Sequence, residues 1–448
     1  MTHYYSFPDD IYCWGQNRGG TLVPLVAQLF NKVLAFSAIN SVSLANYLLL
    51  LIGFFGFSHA LKNNFTKIIF AACWFLPPVW FIDSLRFPYG IQYCLIGAAV
   101  FIVTELKRVN DTKSWRYHTY IILLIISLTC AVWVSDLASV TVVVLLITLF
   151  VFHIKNKGFS LPRTTVIIYT LGGLLLSALF IIYAKSKAVE GNSNYLGINN
   201  LSEAYNGIRI TKDSIVNLLL FRKDLPLMSL YLYLIIALAL IFIFLFLKYR
   251  ASFTPEEKFW FFFFTLDAVL VFMVILFSRW ALYDGYGRRF FICTYISVLV
   301  LMMIVLDQLI THKIKFLMIL VICVATTGSL STLHFLKFVE PQTLKPKMDV
   351  LSDFKTLGKC GIIGNYWSVY LISATDPVMI KGIPHQDGGG RNDEIVKEVF
   401  QMEYVYLMKD NWLETFPPSI AQYWHLLYKD GEEFKLAGKT LCRYRKIN

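Results

Sequence analysis

The sequence predicts an α-helical polytopic membrane protein with a small C-terminal α/β domain, and three observations predict it. Of 448 residues, 57% are hydrophobic and only 16% are charged; with a mean hydropathy of +0.59, the chain is too apolar for a soluble enzyme. Apolar windows recur between residues 41 and 335, each of about 17–22 residues, enough to cross a hydrocarbon core of about 30 Å. Beyond residue 336 the long apolar runs stop and Lys, Asp, Glu and Gly increase. The expected division is an outer acidic loop with an interfacial helix (1–40), a transmembrane domain (41–336) and an extracytoplasmic α/β domain (337–448).

In chain order, Thr21 to Phe36 places Leu22, Val26, Leu29, Val33 and Phe36 at helical spacing, with Gln28, Asn31 and Lys32 on another face. This is the pattern of an amphipathic helix lying in a membrane interface. About ten spans follow, near 41–61, 67–85, 88–106, 118–135, 138–153, 164–184, 229–248, 259–278, 290–307 and 315–335. In the last segment, Tyr404–Met408 and Glu433–Leu436 read as strands, the second after an Asp430-Gly431 turn, with helical pieces around Trp367 and Ile395.

Charge orients the spans. Alternate turns carry fourteen Lys and Arg, among them Lys62, Lys107, Arg108, Lys155 and Lys248, whereas the short turns on the other side carry four, Arg86, Arg279, Arg288 and Arg289. The basic set is therefore expected in the cytoplasm, and both termini outside. The net charge of +12 is first a topology signal, and the chain lacks the aromatic–basic stripe of a nucleic-acid binder. An outside N-terminus without a signal peptide in residues 1–40 leads us to expect one further transmembrane helix upstream of Met1.

The eight cysteines form no C-x-x-C pair. Cys73, Cys94, Cys130, Cys293 and Cys323 fall within expected spans as packing residues. Cys360 and Cys442 share the C-terminal segment, and spacing alone leaves a bridge between them open. G-x-S-x-G, H-E-x-x-H and phosphate-loop patterns are missing.

Two outer segments hold the concentrated chemistry. The stretch from Phe7 to Gly20 presents Asp9 and Asp10 beside Tyr12, Trp14, Arg18 and two glycines. An acidic pair at the membrane surface is placed to act on a lipid-linked head group, although Pro8-Asp9-Asp10 also reads as an ordinary turn. The stretch from Ser278 to Arg289 places Arg279, Arg288 and Arg289 on the face that the charge bias keeps poor in arginine. Guanidinium groups bind phosphate in bidentate fashion, so a lipid phosphate is the natural partner, and ordinary lipid head groups are the plain alternative. Asp83, Arg86, Asp136 and Asp284 lie at span ends on the same face; with Trp14 and Arg18 they are candidates for a second acid or for the site lining. Asp267 and Asp307, inside spans, read as a proton path or as paired structural acids.

On the segment Phe7–Gly20, the amphipathic helix after it, the polytopic body and the outer domain, the chain resembles polyprenyl-phosphate-sugar-dependent glycosyltransferases of the GT-C superfamily, of the bacterial type that decorates O-antigen and other surface glycans. The resemblance covers nearly the whole chain through its architecture and rests on a short motif. It implies a multi-pass inner-membrane enzyme with its site and C-terminal domain on the periplasmic side, a polyprenyl-phosphate sugar as donor, and a lipid-linked or other surface glycan as acceptor. It also implies catalysis by Asp9 or Asp10 as general base, donor phosphate held by Arg279, Arg288 and Arg289, and no nucleotide. A divalent cation held by paired carboxylates is left open. A glycan polymerase or ligase is the alternative enzyme class; a lipid or glycan transporter would favour internal repeats, and the interruption at Pro77-Pro78 has no counterpart in the other half.

Overall fold

The computed structural model describes every residue except 1–4, 8, 14–18, 110, 112, 158–163, 189–196, 221–224, 250–251, 311–314, 344, 387–391 and 447–448. The chain divides into two compact units: Ser6–Ala27 with Val42–Phe335, and Met1–Tyr5 with Gln28–Ser41 and Leu336–Asn448.

The helix expected over 21–36 is α1 (Leu22–Leu34). Among the described residues nine helices are long and apolar enough to cross a membrane: α2 (Ala38–His59), α4 (Pro88–Arg108), α5 (Trp115–Val134), α6 (Ala138–Lys157), α7 (Thr164–Ser186), α9 (Pro226–Tyr249), α10 (Pro255–Phe277), α12 (Ile292–Leu309) and α13 (Lys315–Thr343). Their apolar residues run all round, as expected of helices solvated partly by lipid. On α7, Leu171, Leu175, Leu176 and Ile182 remain exposed. On α4 and α12, by contrast, Tyr93, Cys94, Ile96, Ile296, Val300 and Leu306 are buried in the main core. Small residues bring α2 against α4: a Cβ on Gly56 would meet the Gly97 carbonyl at 2.1 Å, the close backbone approach that small residues permit between membrane helices.

One expected span is not a span. The helix predicted over 67–85 is the shorter α3 (Asn64–Phe75). It stops before Pro77-Pro78, because proline lacks the N–H and clashes with the preceding turn. The backbone groups freed by this break are satisfied from α13. Ser329 Oγ donates to the Leu76 carbonyl at 3.2 Å, the Thr332 hydroxyl donates to the Pro77 carbonyl, and the Val79 N–H donates to Ser331 Oγ at 3.1 Å. Side-chain hydroxyls commonly rescue a broken helix at membrane depth in this way. At its other end, α3 is capped by Asn63, and Asp307 of α12 accepts the backbone N–H groups of Lys62 and Asn63, each at 2.8 Å. The second buried acid, Asp267 of α10, accepts the hydroxyls of Tyr93 and Ser297 from α4 and α12.

The connection between α7 and α9 contains α8 (Leu201–Leu219). A short α11 (Arg279–Tyr283) follows α10.

The second unit continues from the end of α13 into α14 (Lys345–Ser352) and a six-stranded mixed sheet. Its strands are β1 (Cys360–Gly364), β2 (Ile380–Pro384), β3 (Val405–Met408), β4 (Ser419–Gln422), β5 (His425–Leu436) and β6 (Lys439–Lys446), in the order β2-β1-β3-β6-β5-β4. β1 runs parallel to β2 and β3, and the remaining pairs are antiparallel. Helices α15 (Tyr366–Ser373) and α16 (Asp393–Gln401) pack on the parallel half, where every residue of β1 is buried. The turn expected at Asp430-Gly431 is instead a bulge within β5, between Lys429 and Glu433. Cys360 and Cys442 are both free. They lie on β1 and β6, with β3 between them; two strand spacings of about 4.8 Å exceed the reach of a disulfide.

Candidate functional site

The acidic segment forms a short ribbon. Tyr12 and Gly20 make an antiparallel bridge, the Cys13 N–H donates to the Gly19 carbonyl at 3.1 Å, and the Thr21 N–H donates to the Ile11 carbonyl at 3.2 Å. The tip of the ribbon, with Trp14 and Arg18, lies outside the described residues. Asp10 begins the ribbon and is held on three sides. Its N–H donates to the Ser6 carbonyl at 2.7 Å, its Oδ2 accepts the Ser6 N–H at 2.8 Å, and its carbonyl accepts the buried Thr21 hydroxyl at 2.6 Å. Asp9 is exposed and has no side-chain bond among the described residues.

The base of the ribbon is fixed to the end of α5. Trp133 Nε1 donates to the Ile11 carbonyl at 2.9 Å, and the Gly20 N–H donates to the Trp133 carbonyl at 3.0 Å. Glycine is required here by space, since a Cβ at position 20 would meet the Trp133 carbonyl oxygen at 2.3 Å. Ile11, Tyr12, Trp133 and Ala184 form a small separate core. Beside it, Lys185 Nζ pairs with Asp136 Oδ2 at 2.9 Å and lies 5.5 Å from the centre of the Tyr12 ring. Tyr12 Oη is buried and has no partner among the described residues. Burial, followed by the Asp136 carboxylate, pushes the Tyr12 phenol upward, so it stays neutral.

The arginine turn forms a second group. Arg288 pairs with Asp83 and Arg289 with Asp284, each at 2.7 Å. The Arg86 guanidinium donates to Tyr47 Oη at 3.2 Å and sits over that ring at 5.3 Å. The turn is shaped by two consecutive left-handed residues, Gly285 (φ 63°) and Tyr286 (φ 51°), a conformation that disfavours any residue but glycine at the second position. Tyr286 is held there by its hydroxyl, which donates to the Leu276 carbonyl at 3.0 Å and accepts Asn199 Nδ2 at 3.1 Å. Trp280 stacks on Tyr89 and meets Phe290 edge-on. Arg279 lies against Gly197, through a backbone bond of 3.2 Å, and has no carboxylate partner among the described residues.

The sequence candidates therefore resolve into one group around Asp10, Tyr12 and Asp136 and another around Asp83, Asp284 and the arginines. The ion pairs are half-exposed, and such pairs contribute about 0–1 kcal/mol each, so an incoming phosphate can displace the carboxylates without a large loss. Three pairings escaped the sequence reading: Trp133 with the ribbon, Lys185 with Asp136, and Tyr47 with Arg86. Each joins different helices or loops, and the only local signal was the Trp133–Asp136 span end. Among the described residues no group of three or more His, Cys, Asp or Glu side chains is arranged to hold a metal ion.

No family model and no curated protein matches the sequence. Among solved structures, the crystal structure of ArnT from Cupriavidus metallidurans bound to undecaprenyl phosphate matches with a TM-score of 0.57 at 11% identity, over 95% of this chain and 88% of that one. Two structures of an Archaeoglobus fulgidus oligosaccharyltransferase, one with Zn and sulfate and one of AglB with an inhibitory peptide and a dolichol-phosphate, give TM-scores of 0.42 and 0.43 at 10% and 13% identity. They align with 88% and 90% of this chain, which spans 59% and 63% of their length. At such identities the likeness is one of fold, and the ArnT match carries it.

Proposed function

We propose that this protein transfers a sugar from a polyprenyl-phosphate donor to a lipid-linked glycan or another cell-surface acceptor, in a bacterial inner membrane with the site on the periplasmic side. The observation that carries the reading is the fold, matched along nearly the whole chain to a structure that holds undecaprenyl phosphate. The arginine turn supports it with two guanidinium groups whose present partners are half-exposed carboxylates.

Asp10 is the base in this reading. Its carboxylate is oriented by the Ser6 N–H, and its backbone is tied through Thr21 to the ribbon docked on Trp133; Asp9 has no such side-chain bond among the described residues. Asp10 takes the proton of the acceptor hydroxyl, the resulting alkoxide attacks the anomeric carbon, and the bond from that carbon to the phosphate oxygen breaks. The leaving lipid phosphate keeps the electron pair. Arg288 and Arg289 exchange Asp83 and Asp284 for its oxygens and stabilise the developing charge, as positioned cations do in other transfers; Arg279 is the third candidate ligand. A single displacement inverts the anomeric centre.

The test is purified protein in lipid discs, incubated with a panel of polyprenyl-phosphate sugars and read by product mass. One added sugar per acceptor is expected, whereas growth by a whole repeat unit would identify a polymerase or ligase. Asp10→Asn is expected to abolish transfer while the donor still binds. Full activity in both Asp9→Asn and Asp10→Asn would remove the proposed base.

A further inference from the structure

A cavity of about 570 Å³ lies among α4, α5, α6 and α7. Its wall on α5 extends from Tyr117 to Val132, a rise of about 22 Å at 1.5 Å per residue. A slot of that length, walled mostly by Leu, Ile and Val side chains, suits an extended hydrocarbon chain. Helices α6 and α7 both pack on α5 but, among the described residues, make little contact with each other.

The two ends differ. Lys107, Tyr117 and Tyr169 line one end, whereas Val132, Ala178 and Ile181 line the other. Lys107 Nζ rests 3.4 Å from the centre of the Phe259 ring, a cation–π contact, within the electrostatic reach of the Glu256 carboxylate. Tyr169 Oη meets His118 Nδ1 at 3.0 Å. The cationic end lies at the start of α5, and the ribbon bearing Asp10 is docked at its end, on Trp133. The cavity thus opens its charged end at the face opposite the candidate catalytic group.

We propose that this cavity is a binding site for an anionic phospholipid of the bilayer, one acyl chain filling the space between α5, α6 and α7 and the head-group phosphate pairing with Lys107. The site is separate from the donor site inferred above and does not depend on it. Bound lipid closes the gap between α6 and α7 and steadies the end of α5 that carries Trp133.

The test uses the full chain in discs of phosphatidylcholine containing a minor fraction of phosphatidylglycerol with a photoreactive acyl chain, and maps the labelled residues by mass spectrometry. Labelling of Leu128 and Leu146 is expected to exceed that of Leu240, an exposed residue of α9. Filling the cavity with Leu128→Trp or Leu146→Trp is expected to lower the remaining cavity label about tenfold, equivalent to 1.4 kcal/mol of lost binding. Lys107→Gln is expected to remove a preference for phosphatidylglycerol over a photoreactive phosphatidylcholine of about fivefold, the factor for one basic residue near a head group. Cavity labelling no stronger than on Leu240, or equal labelling by the two lipids in the unmodified protein, would overturn the proposal. Both are read without the filled variants, so misfolding of those variants does not shelter it.

Discussion

Arg288 and Asp83, 205 positions apart, meet at 2.7 Å and join the turn before α12 to the segment that follows the proline break after α3. Because both side chains are about half exposed, the pair contributes little stability. Arg288→Gln is expected to lower turnover by about 10²–10³, the usual loss when a charge-stabilising donor is removed from a transfer site, with thermal stability unchanged. Asp83→Asn releases the competing carboxylate and is expected to tighten donor binding. Donor titrations and turnover on the two variants check both outcomes, and wild-type turnover in Arg288→Gln would count against phosphate binding there.

Gly20 is the tightest point of the ribbon, with no room for a Cβ beside the Trp133 carbonyl. Gly20→Val is expected to displace the ribbon and Asp10 with it, lowering turnover by about 10²-fold, as misplacement of a catalytic group does. Donor affinity is expected to persist, because the arginines lie on other elements. A parallel loss of donor binding and turnover would contradict this division of labour.

Asp267 joins α10 to α4 and α12 through Tyr93 and Ser297. Asp267→Ala leaves two buried hydroxyls without their acceptor, at a cost of about 1–3 kcal/mol for each. Asp267→Asn keeps an acceptor and is expected to lose less. Thermal unfolding in detergent measures the difference. Unchanged turnover per folded molecule is expected, since the residue holds α4, α10 and α12 together.

In the second unit, burial and then Lys446 lower the pKa of His425, whose ring packs against Phe400 with centroids 4.2 Å apart. A depressed histidine binds its proton more weakly in the folded state. Its contribution is therefore complete above the unfolded value of about 6.5 and is lost as the pH falls below it toward the folded value. Amide exchange of β4 and β5 is expected to quicken on acidification through that window, and His425→Gln is expected to flatten the response.

Much of the fold was legible in the sequence because span length and apolar content are local properties. Nine of the ten expected spans are helices of the right length. The failure at 67–85 has a specific cause: an averaged hydropathy scarcely registers Pro77-Pro78, whereas helix geometry cannot accommodate them. The Asp430-Gly431 pair misled for the opposite reason, since a favourable turn dipeptide was absorbed as a bulge once β6 paired along both halves of β5.

The sequence by itself determined the membrane class, nine of the helices long and apolar enough to cross, the expected sidedness of its charge, and the two polar segments that stand out against an apolar background. These follow from transfer free energies summed along a short stretch. The tertiary structure alone decided that Asp83 neutralises Arg288, that Lys185 meets Asp136, that Trp133 anchors the ribbon of Asp10, and that serines and a threonine of α13 repair the break after α3. Each of these joins residues dozens to hundreds of positions apart, and such pairings exist only after packing has brought their helices together, because hydrogen bonds and ion pairs act over a few ångströms whatever the separation along the chain.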